Sequence, residues 1–184
     1  MAKILFVCFL TPQIGIGHLS RLLAVAEKFA HDKIINPEFI IFGNDFANED
    51  LKKYKVNFFS INDEIDISIN SVLKEDDFKS VIFDLPGNFK NSRLKDLFKH
   101  LKTKKISLVG IDSLTEFHNF FDLIWIPSFY FDCSTFSESK CNFKSGWDSF
   151  LLQKRLKQKD WNPGSKVLVL TGGSDASGLY KDFP

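Results

Sequence analysis

The sequence predicts an α/β protein whose mainly parallel sheet carries helices on both faces. Three observations lead there. Short apolar runs alternate with amphipathic stretches along most of the 184 residues. Several of these runs are apolar at successive positions, as strands covered on both sides require. Hydrophobic residues make up 44% of the chain and there are 21 Phe, enough to fill one aromatic core.

Taken in order, the first run is Lys3–Phe9. The opening MAKILFVCFL has the look of a signal peptide, but no small-residue cleavage site follows, and it reads as a buried strand. A helical pattern over 18–31 puts Leu19, Leu22, Leu23, Ala26, Phe29 and Ala30 on one face at spacings of three and four. Further strands are expected at Glu38–Phe42, Val56–Ser60, Ser80–Phe83, Ile106–Ile111 and Leu123–Ile126. Helical patterns lie between them near 46–54, 70–77 and 90–103. A second amphipathic stretch covers 147–159, where Trp147, Phe150, Leu151 and Leu156 oppose Lys154, Arg155, Lys157 and Lys159. WNPGS then reads as a linker, and KVLVLTGGSD as a new strand, turn and helix start. Residues 1–160 are thus expected to form one domain, and 161–184 a linker and the opening of a truncated second α/β domain. The alternative is one more strand of the same sheet.

The formal net charge of +1 gives no argument for a polyanionic partner. The basic run at 154–159 has acids beside it and no aromatic platform, so it reads as a solvated face and not a nucleic-acid site. Cys8, Cys133 and Cys141 suggest no disulfide framework and no CxxC pair, and a reduced, cytoplasmic setting is expected. No run approaches the roughly 20 apolar residues of a membrane span.

In open parallel sheets, ligands bind beyond the carboxyl ends of the strands. The polar residues that follow the runs are Gly15, Gly17 and His18, then Asn44 and Asp45, then Asp84 in VIFDLP and Asp112 in LVGIDSL. Asp and Asn also cap helices and start turns, so singly each has a structural explanation. GIGHLS is not a dinucleotide fingerprint: its third glycine position is Ser20, and the nearest strand-end acid, Asp45, comes later than the roughly 20 residues such a site needs. Nor does it carry the Gly-Lys-Ser/Thr of a phosphate loop. No cofactor motif is present. Asp84, Asp112 and Asp122 are the acids that could converge on a metal, though no spacing demands one.

The glycine-flanked loop instead places His18 at a helix start. Gly15 and Gly17 permit positive φ and close approach of a ligand to backbone. The free N–H groups and dipole there favour an anion over a charged imidazole, which suits a general base. Arg21, three residues on, is placed to reach a phosphate or carboxylate, or to orient the loop.

V-x-F-L-x-x-x-x-G-x-G-H-L-S-R resembles the N-terminal motif of nucleotide-sugar enzymes with the GT-B fold. It is similar to that of the UDP-sugar hydrolase of pseudaminic acid synthesis and of spore-coat polysaccharide biosynthesis proteins. The peptidoglycan N-acetylglucosaminyltransferase is a more distant likeness. VIFDLPG, ISLVGIDSL with FDLIWIPS, and VLVLTGGSD follow in the family's order. Only GxGHxxR and GGSD are specific; the intervening matches are general to α/β chains. The resemblance implies a Rossmann-like N-terminal half of a GT-B fold, with His18 as catalytic base. Gly15, Gly17, Arg21, Asp84 and Asp112, by their strand-end and loop positions, are expected around the substrate. Gly172, Gly173, Ser174 and Asp175 would lie at an interdomain cleft, near a leaving diphosphate. A nucleotide-sugar, most simply a UDP-sugar, is the expected partner, and a C-terminal domain beyond these residues is implied. Family enzymes carry that domain complete, so the 184 residues are expected to be inactive alone. Hydrolysis of the UDP-sugar at its anomeric carbon is the leading expectation. The alternatives are glycosyl transfer and a non-catalytic sugar- or partner-binding domain.

Overall fold

The computed structural model of the chain describes residues 2–31, 35–43, 49–87, 89, 91–152 and 163. The elements run β1 (Ala2–Leu10), α1 (Gly17–His31), β2 (Ile35–Gly43), β3 (Lys55–Phe59), α2 (Ile65–Leu73), β4 (Phe78–Asp84), α3 (Leu94–Thr103), β5 (Ser107–Ile111), β6 (Leu123–Trp125) and β7 (Asn142–Lys144). Among the described residues, all seven strands lie in one sheet, ordered β3-β2-β1-β4-β5-β6-β7, and every neighbouring pair is parallel. This is a Rossmann-like α/β fold, with the reversal of strand order between β1 and β4.

Side-chain alternation assigns the two faces. β1 sends Leu5, Val7 and Phe9 to the face where α2 and α3 pack through Ile69, Leu97 and Phe98. It sends Phe6, Cys8 and Leu10 to the other, under Leu19, Leu22 and Leu23 of α1. Helices therefore cover both faces, as expected. Phe6 stacks on Phe39 at 5.0 Å and Phe9 on Phe42 at 5.1 Å, and each pair is also a register pair of β1 and β2. Such aromatic pairs contribute about 0.5–1.5 kcal/mol beyond burial, so they favour this register over a slipped one. In β4, Val81 and Phe83 face α3 while Ile82 faces α1. The same alternation puts Asp84, the last residue of the strand, on the α1 side.

Several elements differ from expectation. β7, the three residues Asn142–Lys144, is short and polar and among the described residues pairs only with β6, so no apolar run announces it. α2 begins at Ile65, five residues before the expected start, because Ile65, Ile69, Val72 and Leu73 make its buried stripe. Within 46–54 only 49–54 is described, and there one 3-10 turn, Leu51–Lys53, replaces the expected helix. At 147–152 the structure has a 3-10 turn, Trp147–Ser149, not the start of a long helix. The indole N–H of Trp125 donates to the Ser149 carbonyl at 2.6 Å, and Phe150 is extended at φ −71°, ψ 127°. Residues 153–159, and the expected domain boundary near 160, lie outside the described residues. No helix among the described residues is long and apolar enough to cross a membrane.

Asp122 does not converge with Asp84 and Asp112. It precedes β6 at the amino end of the sheet, where it accepts bonds from Leu108 N (2.8 Å), Ser107 Oγ (2.9 Å) and Lys102 Nζ (2.7 Å). Burial acts to raise its pKa, but those three donors outweigh it and hold the carboxyl below its ordinary 3.8. A depressed folded value means that this stabilisation is present above 3.8 and is lost as pH falls through the lower, folded value. Asp122→Asn should therefore unfold at lower urea than wild type near pH 7, and the two midpoints should converge below about pH 3.8. A gap that stays constant with pH would show that the charge is not the cause.

Gly43 ends β2 with φ +135°, and a Cβ there would sit 1.9 Å from the Leu10 carbonyl oxygen. Neither the dihedral nor the space admits a side chain. Gly43→Ala is expected to cost about 3 kcal/mol, read from denaturant midpoints at unchanged slope.

Candidate functional site

The site forms where β1 hands over to α1 and beside it at the ends of β4 and β5. Thr11 organises the loop: its carbonyl accepts from Ile14 N (3.1 Å) and Gly15 N (2.8 Å), and its Oγ1 also accepts from Ile14 N (3.2 Å). Closing that turn puts Gly15 at φ +77°, a conformation glycine adopts without strain. Gly17 is different. It is the first residue of α1, without positive φ, and nothing lies within 4 Å of the position a Cβ would take. The first helical bond is Ser20 N to Ile16 O at 2.9 Å, so the N–H groups of Gly17, His18 and Leu19 precede the helical ladder. The first turn of α1 has no acidic residue.

His18 and Arg21, three apart on α1, reach down to Asp84. Asp84 is 0% exposed, yet it carries a full set of polar partners. His18 Nδ1 lies 2.5 Å from its Oδ1, Arg21 Nη2 donates to the same oxygen at 2.8 Å, and Arg21 Nε donates to Oδ2 at 2.8 Å. Two acceptors would not approach to 2.5 Å, so the Nδ1 of His18 carries a hydrogen and donates it to Asp84. Whenever the ring is neutral, Nε2 is then its acceptor nitrogen. Nη2 also lies 3.0 Å from Nδ1, but with that nitrogen protonated its hydrogen serves Asp84. The side chains of His18 and Arg21 are only 15% and 22% exposed.

Asp112 follows β5 with φ +66°, which takes it out of strand alternation, and its Oδ2 lies 3.1 Å from Arg21 Nη2. Its backbone N–H donates to the Trp125 carbonyl at 2.9 Å, and the next residue, Ser113, donates its hydroxyl to the Leu85 carbonyl at 2.9 Å. Burial disfavours the Arg21 charge, but the bond and attraction from Asp84, with Asp112 behind it, raise its pKa above the ordinary guanidinium value. Cys8, the register partner of Asp84, is fully buried, and burial together with the Asp84 charge pushes its thiol far above the usual range. It stays a neutral thiol.

Of the sequence-predicted residues, the structure thus brings together His18, Arg21, Asp84 and Asp112, with Gly15 and Gly17 in the loop and helix start above them. Gly172, Gly173, Ser174 and Asp175, like Asn44 and Asp45, lie outside the described residues. Cys8 was not singled out, although its place near the end of β1 and its α1-facing parity mark it as a neighbour of the site. Among the described residues, no group of three or more His, Cys, Asp or Glu side chains is placed to hold a metal. A groove of about 670 Å³ runs along the other flank of α1, past Val25, Phe29, Ile82, Val109 and Trp125, and touches none of the site residues.

No protein-family model matches the chain, and no curated protein matches it. Among solved structures, the crystal structure of S. aureus homoserine dehydrogenase at pH 7.0 aligns over 79% of this chain and 33% of its own, with 11% identity and a TM-score of 0.41. The chain spans about a third of that structure, and a likeness so distant carries no functional argument.

A buried carboxylate paired with a guanidinium is costly to break from either side. Asp84→Ala is expected to lower unfolding free energy by about 3 kcal/mol, because Arg21 is left without its main partner. Asp84→Ala with Arg21→Met should cost less than the sum of the single changes by about 1 kcal/mol or more in a denaturant double-mutant cycle.

Proposed function

We propose that the chain is the N-terminal part of a nucleotide-sugar-acting enzyme of surface-glycan synthesis, with a UDP-sugar as its substrate. The observation that carries this reading is the His18–Asp84 pair at 2.5 Å, which makes Nε2 the proton acceptor at the mouth of the parallel sheet. The GxGHxxR stretch supplies the nucleotide-sugar part of the reading. In hydrolysis, Nε2 takes a proton from water as the water oxygen bonds to the anomeric carbon. The bond from that carbon to the diphosphate oxygen breaks, and its electron pair leaves with UDP. The N–H groups at the start of α1, open above Gly17, suit the developing negative charge. Asp84 stabilises the imidazolium that forms, since its oxygen already holds the Nδ1 proton.

Transfer to a sugar hydroxyl is the second reading, and one observation favours it. Phe129 and Trp147 stack at 4.6 Å with their planes 3° apart, and Trp147 and the neighbouring Tyr130 are 75% and 86% exposed. They extend the same edge of the sheet beyond β6 and β7. A flat, exposed aromatic surface suits the apolar face of a pyranose acceptor.

The test is phosphorus NMR of the full-length protein, with its implied C-terminal domain, and a panel of UDP- and CMP-sugars, with and without simple sugar acceptors. Release of free UDP is expected, and His18→Ala should slow it about 100-fold or more. Release that requires an acceptor would select transfer over hydrolysis. Equal turnover in wild type and His18→Ala would remove His18 from the chemistry, and unchanged spectra throughout would remove the nucleotide-sugar reading.

A further inference from the structure

An arginine three residues after a loop histidine suggests a hand for substrate phosphate. Its geometry says otherwise. An arginine that captures a phosphate or carboxylate presents the parallel N–H pair of one edge to the ligand. In Arg21 the Nε and Nη2 edge is already filled by both oxygens of the buried Asp84, at 2.8 Å each. Nη2 is further shared with Asp112 at 3.1 Å. The acid at the far end is itself anchored, by Asp112 N to the Trp125 carbonyl and by Ser113 Oγ to the Leu85 carbonyl, one residue past Asp84. The carboxylate that receives the Nδ1 hydrogen of His18 is therefore held at three points and cannot rotate away.

We infer that Arg21 is a positioning residue and not a substrate ligand: its fork clamps Asp84, with Asp112 as backstop, and so keeps the proton of neutral His18 on Nδ1. Without the fork, Asp84 keeps one side-chain partner, its carboxylate turns freely, and the two neutral tautomers of His18 become comparable. A lysine in place of Arg21 carries the charge but not the planar pair of donors. The consequence for turnover rests on the nucleotide-sugar reading above; the consequence for the tautomer does not.

The tautomer is read directly by long-range proton–nitrogen correlation on the full chain labelled with 15N-histidine, without substrate, at a pH where the ring is neutral. His18→Gln identifies the His18 signals among the four histidines. Wild type is expected to show the Nδ1–H pattern alone. Arg21→Met should drive it towards an even mixture, Arg21→Lys should fail to restore it, and Asp112→Asn should move it part of the way. A full Nδ1–H pattern in Arg21→Met overturns the inference, as does full restoration by Arg21→Lys, which would make charge alone sufficient. Should Arg21→Met lose its folded spectrum, Arg21→Lys and Asp112→Asn decide by the same criterion. Where UDP-sugar turnover is present, Arg21→Met should lower kcat about tenfold with KM within about twofold of wild type. A raised KM at retained kcat would make Arg21 a ligand and overturn the inference. Absence of turnover in the full-length wild type would count against the nucleotide-sugar reading and leave the tautomer result standing.

Discussion

A carboxylate with no exposure to water sits at the end of the strand beside the topological switch point, and the site is organised around its needs. Desolvating a charge of that kind is tolerable only with close partners of opposite sign and filled lone pairs. Asp84 finds them on the first turn of α1, where His18 and Arg21 converge on both of its oxygens. The requirement fixes more than two side chains. Helix α1 must start where it does, at the height it does over β4, or the guanidinium misses its partner. The Thr11 turn and the left-handed Gly15 deliver the chain to that point.

The rest of the architecture supports the same edge. In-register Phe pairs hold β1 against β2, and Gly43 lets the end of β2 press against the Leu10 carbonyl just before the loop. On the far side, the left-handed Asp112 turns its carboxylate to Arg21 while its backbone N–H and the Ser113 hydroxyl tie the end of β5 to its neighbours. A second buried acid, Glu38, marks the contrast. It lies towards the amino end of the sheet against Lys3 at 2.7 Å and Lys55 at 3.4 Å, with no histidine and no glycine loop. Its lysine partners are simple counter-ions. Burial of an acid is a matter of stability at one end of this sheet, while at the other it also sets the state of an imidazole.

Much of this was legible in the chain. The six apolar runs each became a strand, because a strand buried on both faces has few other ways to bury consecutive Ile, Val and Phe. Helix α1 was legible for the same reason, since its stripe of Leu and Ala has a clear period. α2 was displaced because I-D-I-S-I alternates like a strand, and only packing under α3 settles it as a helix. β7 was invisible because three residues at an edge draw their order from β6 and not from their own composition. The stretch from Trp147 read as a helix by its spacing, but the hydrogen bond from Trp125 to Ser149 overrules that periodicity locally.

By itself, the sequence determined the α/β class, the strand ends at which polar residues gather, and the placement of a histidine at a helix start. These follow from local periodicity and from glycine and proline punctuation, which act over a few residues. What only the tertiary structure decided is which of those polar groups meet. Asp84 lies 66 residues from His18, Asp112 is brought in through a left-handed turn, and Asp122, one of the three acids grouped with them by type, belongs to the opposite end of the sheet. Strand order and side-chain parity make those distinctions, and neither is written in any one segment of the chain.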